Sequence, residues 1–71
     1  MRIENKIYYY FEQIEKIAFN IFLLKSNISM KQFAKLCGIS MAYLSLIVNG
    51  RRAITKSLIE KFAENGFKVE I

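Results

Sequence analysis

Histidine, proline and tryptophan are absent from this 71-residue chain, and cysteine occurs once, as Cys37. Without imidazoles or a second thiol there is no ligand set for zinc and no internal disulfide. No metal and no cofactor are expected. The three glycines form no phosphate-cradling loop, and no carboxylate pair stands in a pocket-forming context, so an enzyme is not expected. Long apolar runs are missing too. The longest uncharged stretch, Leu36 to Gly50, covers fifteen residues and contains Gly, Ser and Asn, whereas a membrane span takes about 20 apolar residues. Glu4, Glu12 and Glu15 interrupt any leader-like order near the N-terminus. A soluble cytoplasmic domain is the expectation.

Acidic residues are also missing from the middle of the chain. Between Lys16 and Ile59 stand seven cations (Lys16, Lys25, Lys31, Lys35, Arg51, Arg52, Lys56) and no Asp or Glu. All six acids lie in residues 1–15 and 60–71, each flank nets −1, and the whole chain carries +5. Such a block suits a polyanion, because each neutralised phosphate releases counterions. The plainer reading is that the cations only solvate helix surfaces. A hydrophobic share of 54% is high for so small a domain, which buries only about 60% of its unfolded surface. Cover by a second copy of the chain is the simplest expectation.

Within the basic block, Met30 to Asn49 reads as two short helices joined by a tight corner. Phe33, Ala34 and Cys37 fall at helical spacing and share a buried face; a small buried core residue is the ordinary role for the lone thiol. Gly38 stops the first helix, since the corner needs a conformation that glycine takes without a Cβ clash. Ile39 plugs the corner, Ser40 caps the second helix, and Leu44, Ile47 and Val48 face inward. Ser29 and Gln32 make a capping box at the start of the first helix. This is the anatomy of a helix-turn-helix.

Ala34, Gly38, Leu44 and Ile47, with apolar Phe33, Cys37 and Ile39 between them, resemble the lambda-repressor-like (Cro-type, XRE-type) helix-turn-helix family in their spacing. Asn49-Gly50-Arg51-Arg52 is similar to the Asn-Gly-basic turn after that family's recognition helix, and Leu58, Ile59 and Phe62 resemble its next core helix. The likeness runs from about Phe19 to Phe67. It implies an all-α domain of four helices, with the helix-turn-helix at residues 29–48; Thr55 reads as the N-cap of the last helix.

The resemblance also implies site residues. Helix 41–48 would enter the major groove, with Met41, Ala42, Tyr43, Ser45 and Leu46 at the base-contacting positions. Only Ser45 and the Tyr43 hydroxyl can hydrogen-bond there, so readout would lean on thymine methyls and DNA shape and favour an A·T-rich site. Ser29, Lys31, Gln32, Ser40, Asn49, Arg51, Arg52 and Lys56 are the expected phosphate contacts; such contacts set register and do not read sequence. Met30 stands where family members often carry a polar residue. Capping alone accounts for Ser29 and Gln32, and a solvated turn for the arginines.

The flanks carry the remaining expectations. Ile3, Ile7, Tyr10, Ile14, Ile17, Ile21 and Leu24 recur at heptad spacing and predict a long N-terminal helix from about Glu4 to Lys25. Phe11, Ala18 and Phe22 widen the stripe. Tyr8, Tyr9, Phe19 and Leu23 lie off it. Residues 1–14 exceed the family pattern and are expected to pack on a second subunit, the alternative being a strap over the domain's own core. Phe67 to Ile71 alternates like a short strand that would pair with its copy in a second subunit; a coil packed on the core is the alternative. The expected dimer interface is Ile3, Ile7, Tyr10, Phe11, Ile14, Phe67, Val69 and Ile71.

The chain thus reads as one domain, 1–71, of a homodimeric transcriptional regulator, a repressor rather than an activator, on an A·T-rich inverted repeat of double-stranded DNA. Two alternatives stay open: an antitoxin-type autoregulator, and a protein-interaction module that docks the apolar face of helix 41–48 on a protein partner. The Lys-, Ile- and Asn-rich usage hints at an A·T-rich genome of a bacterium, phage or plasmid.

Overall fold

The computed structural model describes residues 8–69. A two-residue strand β1 (Tyr8–Tyr9) leads to helix α1 (Gln13–Ser26), α2 (Met30–Cys37), α3 (Met41–Val48), a second short strand β2 (Ile54–Thr55) and α4 (Lys56–Glu64). The strands pair antiparallel, Tyr8 with Thr55 and Tyr9 with Ile54.

Local chemistry sets these boundaries. The first three-residue step of α2, α3 and α4 is closed by a hydroxyl: Gln32 N–H donates to Ser29 Oγ, Tyr43 N–H to Ser40 Oγ and Leu58 N–H to Thr55 Oγ1. At α1 the Glu15 carboxylate reaches back to accept from the Glu12 amide at 2.7 Å. All four helices end alike. The residue at the exit is left-handed (Asn27, Gly38, Gly50, Gly66), and the amide after it donates five residues back, from Ile28 to Leu23, Ile39 to Ala34, Arg51 to Leu46 and Phe67 to Phe62.

All six phenylalanines meet in one core cluster. Phe19 of α1 is fully buried at its centre, with ring centroids 5.2 Å from Phe33, 5.8 Å from Phe62, 5.1 Å from Phe67, 6.1 Å from Phe22 and 6.5 Å from Phe11. Leu23, Ala34, Cys37, Leu44, Ile47, Val48, Ile54 and Leu58 complete the core. The expected inward faces of α2, α3 and α4 are the observed ones.

The N-terminal segment differs from the expectation. The helix begins at Gln13, not near Glu4, and Tyr8–Tyr9 is extended. Aromatic residues favour strands, and the Tyr8–Tyr9 backbone finds its partner in the Ile54–Thr55 edge. Phe11 then turns into the chain's own core, so the region acts as an intramolecular strap there. The heptad stripe is likewise inverted: α1 packs through Phe19 and Leu23, while Ile14, Ile17, Ile21 and Leu24 remain outside. At the other end Phe67 is buried and residues 67–69 form no strand. Phe11 and Phe67 therefore serve the core rather than an interface. Tyr10 and Ile14 are exposed and Val69 is half-buried; Ile3, Ile7 and Ile71 lie outside the described residues.

Gly38 and Gly50 share a φ of +74°, but their surroundings differ. A Cβ at Gly38 would meet nothing within 4 Å, whereas at Gly50 it would lie 2.8 Å from the Phe11 carbonyl oxygen. Gly38→Ala is expected to cost about 1 kcal/mol, the left-handed penalty alone. Gly50→Ala should cost at least about 2 kcal/mol, because the clash with backbone adds to that penalty. Urea unfolding of both variants checks the order.

The Tyr9 hydroxyl donates to Glu15 Oε2 at 2.7 Å and ties β1 to the first turn of α1. That bond holds the Glu15 carboxyl below its ordinary range, against the opposing effect of burial. It pushes the Tyr9 hydroxyl up to about 12, with burial and the Glu15 charge adding to it. Glu15, lowered by folding, stabilises above the ordinary carboxylate range, and this is lost as pH falls through its folded value. Tyr9, raised by folding, stabilises below its ordinary value of 10.0, and this is lost as pH climbs toward about 12. Tyr9→Phe should lose about 1 kcal/mol at neutral pH, a modest figure because the site is half-exposed and screened. Its stability curve should be flatter than the parent's at both ends, as denaturation at several pH values would show.

Candidate nucleic-acid interface

Helix α3 is fixed from three sides. Its N-terminus follows the left-handed Gly38 and half-buried Ile39, Ser40 caps it, and Leu44, Ile47 and Val48 bury its inner face. At 100° per residue the opposite face carries Met41, Ala42, Ser45 and Leu46. Met41, Ala42 and Leu46 are exposed, Ser45 is half-buried, and Tyr43 is half-buried beside them. All five residues expected to read bases therefore reach the surface around one face of α3.

The end of α3 is the informative exception among the four helix closures. At the other three, the residue after the left-handed position is apolar (Ile28, Ile39, Phe67) and packs on the core. Such an apolar contact normally accompanies this closure. At α3 the same position is Arg51, exposed, its amide held by Leu46 O at 2.9 Å. The backbone that carries the first arginine is thus pinned while its side chain is free to reach outward. Arg52 is also exposed, and its guanidinium carbon lies 5.4 Å from the Tyr43 ring centroid. This cation–π contact orients both side chains. Sequence spacing gave no hint of it, because Tyr43 and Arg52 sit on different elements.

The other expected phosphate contacts divide by how much hydrogen-bonding capacity they retain. Lys31 and Lys56 are exposed in the first turns of α2 and α4. Ser29 and Gln32 are engaged with each other: Ser29 N–H donates to Gln32 Oε1 at 2.8 Å and Gln32 N–H to Ser29 Oγ at 3.1 Å. The hydroxyl proton of Ser29 and the amide protons of Gln32 remain to donate. Ser40 is engaged as an acceptor in the same way. Asn49 directs its side-chain amide to Ser45 O at 2.8 Å, and Gly50, not Asn49, supplies the left-handed exit. Lys16 was counted in the basic block but not as a site residue. It is half-buried and lines a shallow depression with Glu12, Gln13, Val48, Asn49 and Gly50, so a cation and an acid stand together beside the end of α3.

The lone thiol lies away from this surface. Burial pushes the Cys37 thiol up, partly offset by the Asn65 amide and the Lys61 charge, and the thiol lies inside the core.

A scaffold helix, a glycine corner, and a second helix with an open face and a basic turn define a helix-turn-helix DNA-binding domain. A helix-turn-helix family model matches residues 21–65, from α1 through the end of α4. The chain belongs to the lambda-repressor-like (XRE-type) helix-turn-helix family. Searches of curated proteins and of solved structures return no match. Among the described residues no helix is long and apolar enough to cross a membrane.

Ser40 and Ser45 should separate support from surface. Ser40→Ala removes the cap of α3 and is expected to cost about 1 kcal/mol, whereas Ser45→Ala should stay within about 0.5 kcal/mol. Thermal unfolding of the two variants reads the difference.

Proposed function

We propose that the chain is a homodimeric repressor of transcription, acting in the cytoplasm on an A·T-rich inverted repeat. The observation that carries this is the outer face of α3, closed at its C-terminal end by Arg51 where the other helices have an apolar plug. Helix α3 lies in the major groove. Met41, Ala42 and Leu46 meet thymine methyls, and Ser45 and the Tyr43 hydroxyl supply the few hydrogen bonds to base edges. Arg51, Arg52, Lys31 and Lys56 neutralise phosphates on either side. Ser29, Gln32 and Ser40 present helix N-termini to the backbone, and Asn49 contributes mainly by holding Ser45. Two copies of α3 enter successive major grooves about 34–36 Å apart. Repression follows from occupying the site, with no contact to polymerase required.

One observation favours a second reading. Met41 and Leu46 are exposed hydrophobics, and the same face suits an apolar protein partner.

Selection from a random duplex library, followed by binding of the winners at several salt concentrations, separates the two. An enriched A·T-rich inverted repeat is the expected result. Arg51→Glu with Arg52→Glu should lower affinity at least about 100-fold and reduce the salt slope by about 2, since two phosphate contacts are lost. No binding by the parent chain even at low salt would overturn the proposal and leave the protein-docking reading.

A further inference from the structure

The outer face of α1 is apolar along its length. Ile14, Ile17, Ile21 and Leu24 are 67%, 48%, 48% and 79% exposed. Their 3-4-3 spacing forms one seam about 15 Å long. At 100° per residue this seam lies opposite Phe19 and Leu23, through which α1 packs on the rest of the domain. A shallow groove lined by Ile14, Ala18, Phe67 and Val69, with Glu15 and Lys68 at its edge, continues it sideways. Contiguous exposed apolar surface of this kind marks an interaction site.

Charge identifies the occupant. Gln13, Ala18 and Asn20, which border the seam, carry none, so the face offers nothing to a polyanion and meets its own copy without repulsion. Lys25 stands beside the seam at its C-terminal end, Glu15 and Lys68 line the groove at its N-terminal end, and Glu12 and Lys16 face the depression beside α3. Antiparallel packing brings each Lys25 toward the partner's Glu15 and opposes the two helix dipoles. Parallel packing would set Lys25 against Lys25. We infer that a second copy of this chain covers the outer face of α1, the two α1 helices crossing antiparallel about a two-fold axis between Ile17 and Ile21.

An isologous contact of this type pairs Ile17 with the partner's Ile21, and Ile14 with the partner's Leu24. One helix seam is smaller than the roughly 800 Å² per partner of a standard interface, so the Ile14–Ala18–Val69 groove takes part and the dimer is a micromolar one. The contact deepens the proposed homodimer but is read without DNA, and it leaves the face of α3 free.

Sedimentation of the full chain across roughly 1–500 µM tests it. The parent is expected to pass from monomer to dimer, and Ile17→Lys with Ile21→Lys to remain monomeric with unchanged circular dichroism. That variant should still bind a single DNA half-site. Mixed Ile17→Cys and Ile21→Cys chains, oxidised mildly, should cross-link to each other in preference to themselves; this arm holds even if the double-lysine chain fails to fold. A monomeric parent, a folded double-lysine variant that still dimerises, or cross-linking of like with like would each overturn the inference. A dimer that forms as predicted but binds no DNA would sustain it and remove the regulator reading instead.

Discussion

Everything in this domain is hung on the burial of Phe19. Its ring contacts Phe33 of α2, Phe62 of α4 and Phe67 beyond α4, and Phe11 closes the cluster from the strap before α1. Edge-to-face aromatic pairs contribute about 0.5–1.5 kcal/mol each beyond the area they bury. One side chain therefore couples three helices and both ends of the described chain. Because a helix of eight residues is not stable alone, α2 and α3 exist only as held by this cluster and by the buried face Leu44–Ile47–Val48. The position of the outer face of α3 is a consequence of the core.

That constraint divides the surface. With α1 committed to the core through Phe19 and Leu23, its remaining apolar residues have nowhere to go but outward. With α3 committed through Leu44 and Ile47, its outer face stays open beside a pinned basic turn. Of the seven cations of the central block, Arg51 and Arg52 follow α3 directly, whereas Lys25 lies beside the seam of α1. The open helix face and the outward Arg51 coincide on one region. The uncharged seam of α1 lies on another.

Much of this was legible in the sequence, for a physical reason. Within 29–66 each helix has a buried apolar face, a hydroxyl cap and a left-handed stop, so local propensity and core geometry give the same answer. Phe33, Ala34, Cys37, Leu44, Ile47, Leu58 and Phe62 are buried as their spacing predicts. Helix α1 defeated the same logic because both of its faces are apolar. The heptad stripe is the longer pattern, yet the phenylalanines opposite it find the larger number of aromatic partners. The Tyr8–Tyr9 strand was hidden because its partner, Ile54–Thr55, is distant in sequence and lies in a loop. The alternation from Phe67 onward is equally satisfied by a coil whose Phe67 drops into the core. No spacing rule foretells that Gly50 must also clear the Phe11 carbonyl, or that Arg52 lies over Tyr43.

In the proposed function, the outer face of α3 and the Arg51-Arg52 turn form the surface that meets DNA. Amide chemical-shift mapping of the isotope-labelled full chain, titrated with a short A·T-rich duplex, tests it most directly. Shifts concentrated at residues 40–52 and at Lys31 and Lys56 are expected, with the outward residues of α1 unmoved. Shifts centred on Ile14, Ile17, Ile21 and Leu24, or none at all at low salt, would contradict it.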